Sequence, residues 1–118
     1  MMNLAELIDQ QIERDRRRGF PVDFDQEKER VDQMMRDLVG LLGEVGEFAN
    51  LLKKVGLGQT TPRYAGPKLI DVKSALREEL ADAAIYVFRL ATILGADLEQ
   101  DVVEKMRKND ERYRSLDD

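Results

Sequence analysis

The segment from Ala83 to Leu94 constrains the fold most, because it is apolar on nearly every side of a helix. A helix of this kind is buried centrally or is shared between subunits. We therefore predict a helix over about 71–94, with Asp71 as its N-cap and Gly95 as its end. The helix must be covered by other elements of the fold.

Helical spacing of apolar residues predicts three further helices, over about 4–18, 25–55 and 97–113. Three Pro, eight Gly and few runs of β-branched residues weigh against a sheet-rich fold. We expect an all-α, four-helix bundle-like fold forming one domain over residues 1–118. Four helices from 118 residues cover the apolar third helix poorly, so we expect a homodimer or homotetramer to complete the bundle.

Three smaller features carry open alternatives. The segment from Gly56 to Pro67 is predicted to be a loop, either covering a binding site or serving as a linker. Gly40, Gly43 and Gly46 indicate close packing by another helix or space for a ligand. The arginines at 16–18 are explained by the helix dipole at a C-terminus, with a phosphate site as the less favoured alternative. The fourth helix is expected to face inward through Leu98, Val102, Val103 and Met106.

Composition excludes several chemistries. The chain contains no Cys and no His, so it has no thiolate or imidazole to act as a nucleophile, base or metal ligand. A metal site must use oxygen ligands, which suit Mg²⁺, Mn²⁺ or Ca²⁺. The net charge of -5 argues against binding a nucleic acid polymer. No leader and no membrane-length apolar stretch is present, so we expect a cytoplasmic protein without a membrane partner.

Two pairs of acids stand out, Glu44 with Glu47 and Glu79 with Asp82. Residues three apart are neighbours on one helix surface, so each pair can point at one ion. Glu44 and Glu79 fall inside the apolar stripes of their helices, where an unpaired carboxylate costs several kcal/mol. A divalent cation between the helices would offset that cost. The alternative is salt bridges to Lys53, Lys54, Arg77 or Arg89.

These acids carry a family resemblance. The pattern of Glu44-x-x-Glu47 followed by Glu79-x-x-Asp82, within LLGEVGEFANLLKK and REELADAAIYVFRLA, resembles the signature of MazG-type all-α nucleoside triphosphate pyrophosphohydrolases. The ending EKMRKNDERY resembles the closing helix of that family. The resemblance implies cleavage between the α and β phosphates, giving monophosphate and pyrophosphate. It also implies Mg²⁺, with Mn²⁺ as a substitute, and active sites completed across a homo-oligomer interface.

The resemblance assigns roles to particular residues. The metal would be held by Glu44, Glu47, Glu79 and Asp82. Glu47 is also the candidate to orient or deprotonate the attacking water, since no His is available. The residues expected to bind the substrate or to support its binding are Lys54, Glu78, Lys105, Asn109, Arg112 and Tyr113.

Two rival interpretations remain at this point, and a third is strongly discounted. A non-catalytic regulatory or partner-binding protein would use the acids in salt bridges. A phosphoribosyl-ATP pyrophosphohydrolase would cleave the same bond in a different substrate. A di-iron carboxylate bundle needs Glu-x-x-His pairs, which a chain without His lacks.

Overall fold

The computed structural model describes residues 1–117, and these form four α-helices and no strand. The prediction of an all-α fold is confirmed. The helices and a final 3₁₀ turn, η1, are α1 (Leu4–Arg18), α2 (Glu27–Thr60), α3 (Leu69–Leu94), α4 (Leu98–Arg112) and η1 (Arg114–Leu116). Among the described residues, no helix has the length and hydropathy that crossing a membrane requires.

The bounds of α1 follow from its caps. The side chain of Asn3 accepts a hydrogen bond from the Glu6 amide at 2.8 Å, which satisfies a free N–H of the first turn. Gly19 ends the helix in the left-handed conformation, with φ of 81°. The buried face of α1 presents Ile8 and Ile12, which pack with Ile93 of α3 in a small apolar core.

α2 is longer than predicted, because it ends at Thr60 rather than near position 55. The predicted loop is therefore wrong for 56–60. The Thr60 hydroxyl donates to the Gly56 carbonyl at 3.0 Å and supports the last turn. The helix stops at Thr61, since a residue before proline is pushed out of the helical region. A Cβ on Gly58 would lie 3.2 Å from the Cα of Gly66, so the glycine lets the returning chain cross the helix.

α3 begins two residues earlier than predicted, at Leu69, and its N-cap is Lys68. Asp71 is the third helical residue, and its carboxylate accepts from the Lys68 amide at 3.0 Å. The prediction of Asp71 as N-cap is wrong because the carboxylate caps the helix from inside the first turn. Gly95 ends α3 with φ of 82°, as predicted.

The four helices do not close into a compact bundle within one chain. α2 and α3 pack along one another, α1 packs on α3, and α4 contacts α1 but makes no extended contact with α2 or α3. The radius of gyration is 18.4 Å, against about 13–14 Å for a compact chain of this length. The α4 residues predicted to face inward are exposed at Val102, Val103 and Met106, the last by 60%, while Leu98 is partly buried. The prediction is confirmed for Leu98, which packs against the apolar core. It is wrong for Val102, Val103 and Met106 because no helix within residues 1–117 covers that face of α4.

Candidate metal and nucleotide site

Three carboxylates from the two longest helices converge. Glu44 of α2 and Glu79 and Asp82 of α3 each offer an oxygen, and these oxygens lie within 4.8 Å of one another. The convergence follows from the long contact between α2 and α3, with Glu79 and Asp82 one turn apart on α3. Glu47 of α2 stands beside Glu79 at the edge of this acid cluster. The cluster is open to solvent on the side of Asp82, which is exposed.

Glu79 has a buried carboxylate oxygen, Oε2, that lacks a hydrogen-bond partner among the residues described. The carboxylates of Glu44 and Glu47 lie next to it and raise its pKa from 4.5 to about 8, with burial contributing in the same direction. A buried carboxylate oxygen facing other carboxylates needs a proton or a cation. The donor set fits a divalent cation that prefers oxygen ligands.

The salt-bridge alternative finds no support within residues 1–117. None of the six ion pairs there includes an acid of the cluster. Lys53, Lys54 and Arg77 do not pair with these acids, and Arg89 pairs with different ones. No Lys or Arg side chain among the described residues therefore forms an ion pair with the acids of the cluster.

A second buried group of charges was missed by the sequence analysis. Arg89 of α3, only 7% exposed, joins three segments of the chain. Its guanidinium donates to Asp15 at 2.8 Å, to Asp37 at 3.1 Å and to the Pro21 carbonyl at 2.7 Å. Burial disfavours the charge on Arg89, but the hydrogen bonds to Asp15 and Asp37 outweigh that cost and raise its pKa.

A sequence signal for this network existed. Asp15 continues the spacing of Ile8 and Ile12 on α1, so it falls on the buried face. Asp37 lies seven residues before Glu44, and Arg89 lies seven residues after Asp82. A seven-residue interval keeps a side chain on the same helix face, so the network had to share the α2–α3 interface with the acid cluster.

A cavity of about 440 Å³ connects the two groups of charges. This volume lies in the range of small-molecule sites. Its walls come from α1, the α1–α2 connector, α2 and α3, and its lining residues are Gln11, Asp15, Arg18, Phe20, Pro21, Gln33, Asp37, Glu44, Asp82, Ile85, Tyr86 and Arg89. Arg18, for which the sequence analysis favoured the helix dipole over a phosphate site, lies at this cavity.

Tyr86 lines the cavity and lies on α3 between Asp82 and Arg89. Its ring lies against Gly40, so closely that a Cβ at this glycine would overlap the ring atoms. Gly40 therefore serves packing rather than leaving room for a ligand. Gly43 and Gly46 have no such neighbour, since a Cβ at either meets nothing within 4 Å in residues 1–117.

The substrate-side residues predicted from the resemblance are not at the cavity. Lys54 and Glu78 do not line it, and neither does any residue of α4. Within α4 and its end, the guanidinium of Arg112 lies 5.0 Å from the centre of the Tyr113 ring, a local cation–π contact. Those on α4 (Lys105, Asn109, Arg112) and the adjacent Tyr113 stay predictions, and they are exposed except for Asn109, which is partly buried.

Comparison with known proteins places the chain in a family. The sequence profile of the MazG-like family matches residues 39–118. The chain is 41% identical over 76 residues to dCTP pyrophosphatase 1 of Mus musculus, and 40% identical over 76 residues to the Homo sapiens protein. Each match covers 64% of this chain and 43% of the relative, so the chain spans less than half the length of these relatives. No solved structure matches the chain with significance. The chain belongs to the MazG-like family.

Proposed function

We propose that this protein is a magnesium-dependent nucleotide pyrophosphohydrolase, with Mn²⁺ as a possible substitute. It would cleave a ribo- or deoxyribonucleoside triphosphate between the α and β phosphates, with water as the second reactant and a monophosphate and pyrophosphate as products. The observation that carries the proposal is the buried, unpartnered Oε2 of Glu79 inside a cluster of carboxylates. No ion pair within residues 1–117 offsets the charge of that cluster, and a divalent cation would do so while keeping positions open for phosphate oxygens.

The residues of the acid cluster would have different roles in this reaction. Glu44, Glu79 and Asp82 would hold the cation, and Glu47 at the edge of the cluster joins them. When bound, the cation supplies positive charge that attracts the phosphate oxygens and stabilises the charge developing on them. Glu47 is the exposed member of the α2 pair, so it is placed to orient the water and accept its proton.

The site is completed by a second copy of the chain in this proposal. On α2 an exposed apolar stripe runs at heptad spacing through Leu38, Leu42, Val45 and Leu52. Leu42, for example, is 59% exposed. A stripe of this spacing is typical of a helix that packs against another helix. Because α4 lies apart from the acid cluster of its own chain, we assign Lys105, Asn109, Arg112 and Tyr113 to the nucleotide of a neighbouring subunit.

The relatives suggest where to begin the search for a substrate. Their names record action on dCTP, so dCTP is the first nucleotide to test. Phosphoribosyl-ATP belongs in the same panel, because its hydrolysis breaks the same kind of bond. A non-catalytic regulatory protein predicts no pyrophosphate release from any of them.

The test is pyrophosphate release from all common ribo- and deoxyribonucleoside triphosphates, with Mg²⁺, with Mn²⁺ and with a chelator. We expect metal-dependent release by the parent chain. Glu44→Ala and Asp82→Ala should each lose about 100-fold or more, as expected when a metal ligand is removed. Glu29→Ala, an exposed acid in the first turn of α2, is the matched control and should keep its activity. Equal, metal-independent rates in all four proteins contradict the proposal.

A further inference from the structure

One wall of the cavity is built from two glutamines and two aspartates around Arg89. We call Gln11, Asp15, Gln33, Asp37 and Arg89 the polar wall, and all five line the cavity. The Nε2 of Gln11 donates to Asp15 at 2.9 Å, and the Nε2 of Gln33 donates to Asp37 at 3.2 Å. The two aspartates and Arg89 are buried, while the two glutamines are partly buried and face the open volume.

The orientation of both amides is fixed by this arrangement. An ionised carboxylate can only accept hydrogen bonds, so each glutamine must turn its nitrogen toward its aspartate. The second oxygen of each aspartate is already bonded to Arg89. The carbonyl oxygen of each glutamine is thereby left as a free acceptor, beside the remaining N–H of the same amide.

The charge of the polar wall favours a ligand that donates. Two carboxylates and one guanidinium leave one uncompensated negative charge. A group that places hydrogen-bond donors against this wall gains from that charge, whereas a carbonyl oxygen at the same position meets two amide oxygens and a net negative field. The wall is therefore better matched to an amino group than to a keto group of equal size.

The distance between the polar wall and the acid cluster suits one nucleotide. Asp37 and Glu44 are seven residues apart on α2, and Asp82 and Arg89 are seven apart on α3. Seven residues of helix advance about 10 Å. A nucleotide with its phosphates at the acid cluster can extend its base along the cavity, past Tyr86, to the polar wall.

We propose that Gln11 and Gln33 of the polar wall select a nucleobase that carries an exocyclic amino group next to an unprotonated ring nitrogen. This edge is common to cytosine and adenine. The amide oxygen accepts from the amino group, and the remaining amide N–H donates to the ring nitrogen, the pairing by which amides recognise adenine. The inference rests on the proposed function for the placement of the phosphates, but base selection by the wall can be measured without catalysis.

The experiment is titration calorimetry with two pairs of monophosphates, dCMP with dUMP and dAMP with dIMP. The members of each pair differ by an amino against a keto group and by the proton that the keto base carries on the adjacent ring nitrogen. We expect the parent chain to bind the amino member of at least one pair about tenfold more tightly. The double variant Gln11→Met and Gln33→Met keeps the side-chain volume and should reduce the preference to less than about threefold. Gln10→Met, at the exposed neighbouring position of α1, is the matched control and should keep the preference. Thermal unfolding of each variant reports whether it is folded.

The outcomes separate this inference from the proposed function. Equal binding within both pairs, no binding of any of the four, or an unchanged preference in the folded double variant each overturns the inference. A clear amino preference without pyrophosphate release from any triphosphate overturns the proposed function and leaves the inference standing. Pyrophosphate release at equal rates from dCTP and dUTP, and also from dATP and dITP, supports the proposed function and overturns the inference.

Discussion

The acid cluster and the polar wall lie between the same helices, yet they resolve the burial of carboxylates in opposite ways. In the polar wall, each oxygen of Asp15 and Asp37 accepts a hydrogen bond, and Arg89 supplies a positive charge. In the acid cluster, Glu79 has a buried oxygen without a partner, and the described chain provides no cation. The buried aspartates of the polar wall are therefore satisfied by the protein's own side chains, whereas the acid cluster depends on a ligand, which is the difference expected between carboxylates that hold neighbouring side chains in place and carboxylates that bind a metal.

The largest effect should follow from removing the cation of the polar wall. Arg89→Met leaves two buried carboxylates facing one another, and breaking a buried pair in this way costs about 3–5 kcal/mol. Chemical denaturation of parent and variant measures the change in the free energy of unfolding. Arg107→Met is the control, because its pair with Glu104 is exposed and should contribute less than about 1 kcal/mol. Equal losses in the two variants contradict the role given to Arg89.

A smaller effect on stability is expected at the contact between Gly40 and Tyr86, which lies between the acid cluster and the polar wall. In Gly40→Ala the added Cβ overlaps the Tyr86 ring, so the ring must shift within the cavity. Overpacking of this kind costs about 1–3 kcal/mol, partly offset by about 1 kcal/mol from the better helix propensity of alanine. Gly43→Ala, whose Cβ meets nothing within 4 Å, should be neutral or stabilising. Thermal unfolding distinguishes the two, and a stabilised Gly40→Ala contradicts the packing described.

The acid cluster should make the stability of the protein depend on pH. The pKa of Glu79 is raised from 4.5 to about 8 by Glu44 and Glu47, so the folded state holds its proton more tightly than the unfolded state. Between these values stability falls as pH rises. No His titrates in this window. In metal-free protein we expect the melting temperature to fall from pH 5 to pH 8.

Two changes should remove that pH dependence. Glu79→Gln eliminates the titrating group, and a divalent cation replaces the proton as the partner of the buried oxygen. We expect the parent with saturating Mg²⁺ and the metal-free variant to melt at nearly constant temperature across the window. A slope that is the same in parent and variant shows that Glu79 is not its source.

The sequence predicted the acid cluster better than its surroundings. Glu44 and Glu79 could be placed because a carboxylate inside an apolar stripe is informative by itself. The role of Arg89 could not be chosen, since its partners Asp15 and Asp37 are 74 and 52 residues distant along the chain. The end of α2 was missed because Gly58 was taken as a loop residue. In the structure, glycine at this position allows the chain at Gly66 to cross the helix closely, which is a tertiary contact that local sequence does not reveal.

The outward face of α4 shows a different limit. The spacing of Val102, Val103 and Met106 correctly indicated an apolar face. Periodicity defines which residues share a face, but it does not say whether the same chain or another copy covers it. In the single chain this face is open. The sequence therefore predicted the helix and its amphipathic face, but not the surroundings of that face.

The most direct test of the account is a titration of metal-free protein with Mn²⁺, followed by electron paramagnetic resonance of the free ion. We predict saturable binding by the parent chain and competition by Mg²⁺. The double variant Glu44→Ala and Asp82→Ala should lose that binding while remaining folded, and the exposed control Glu29→Ala should retain it. Saturable binding that is the same in all three proteins, or no saturable binding by the parent, contradicts the claim that the acid cluster is a metal site.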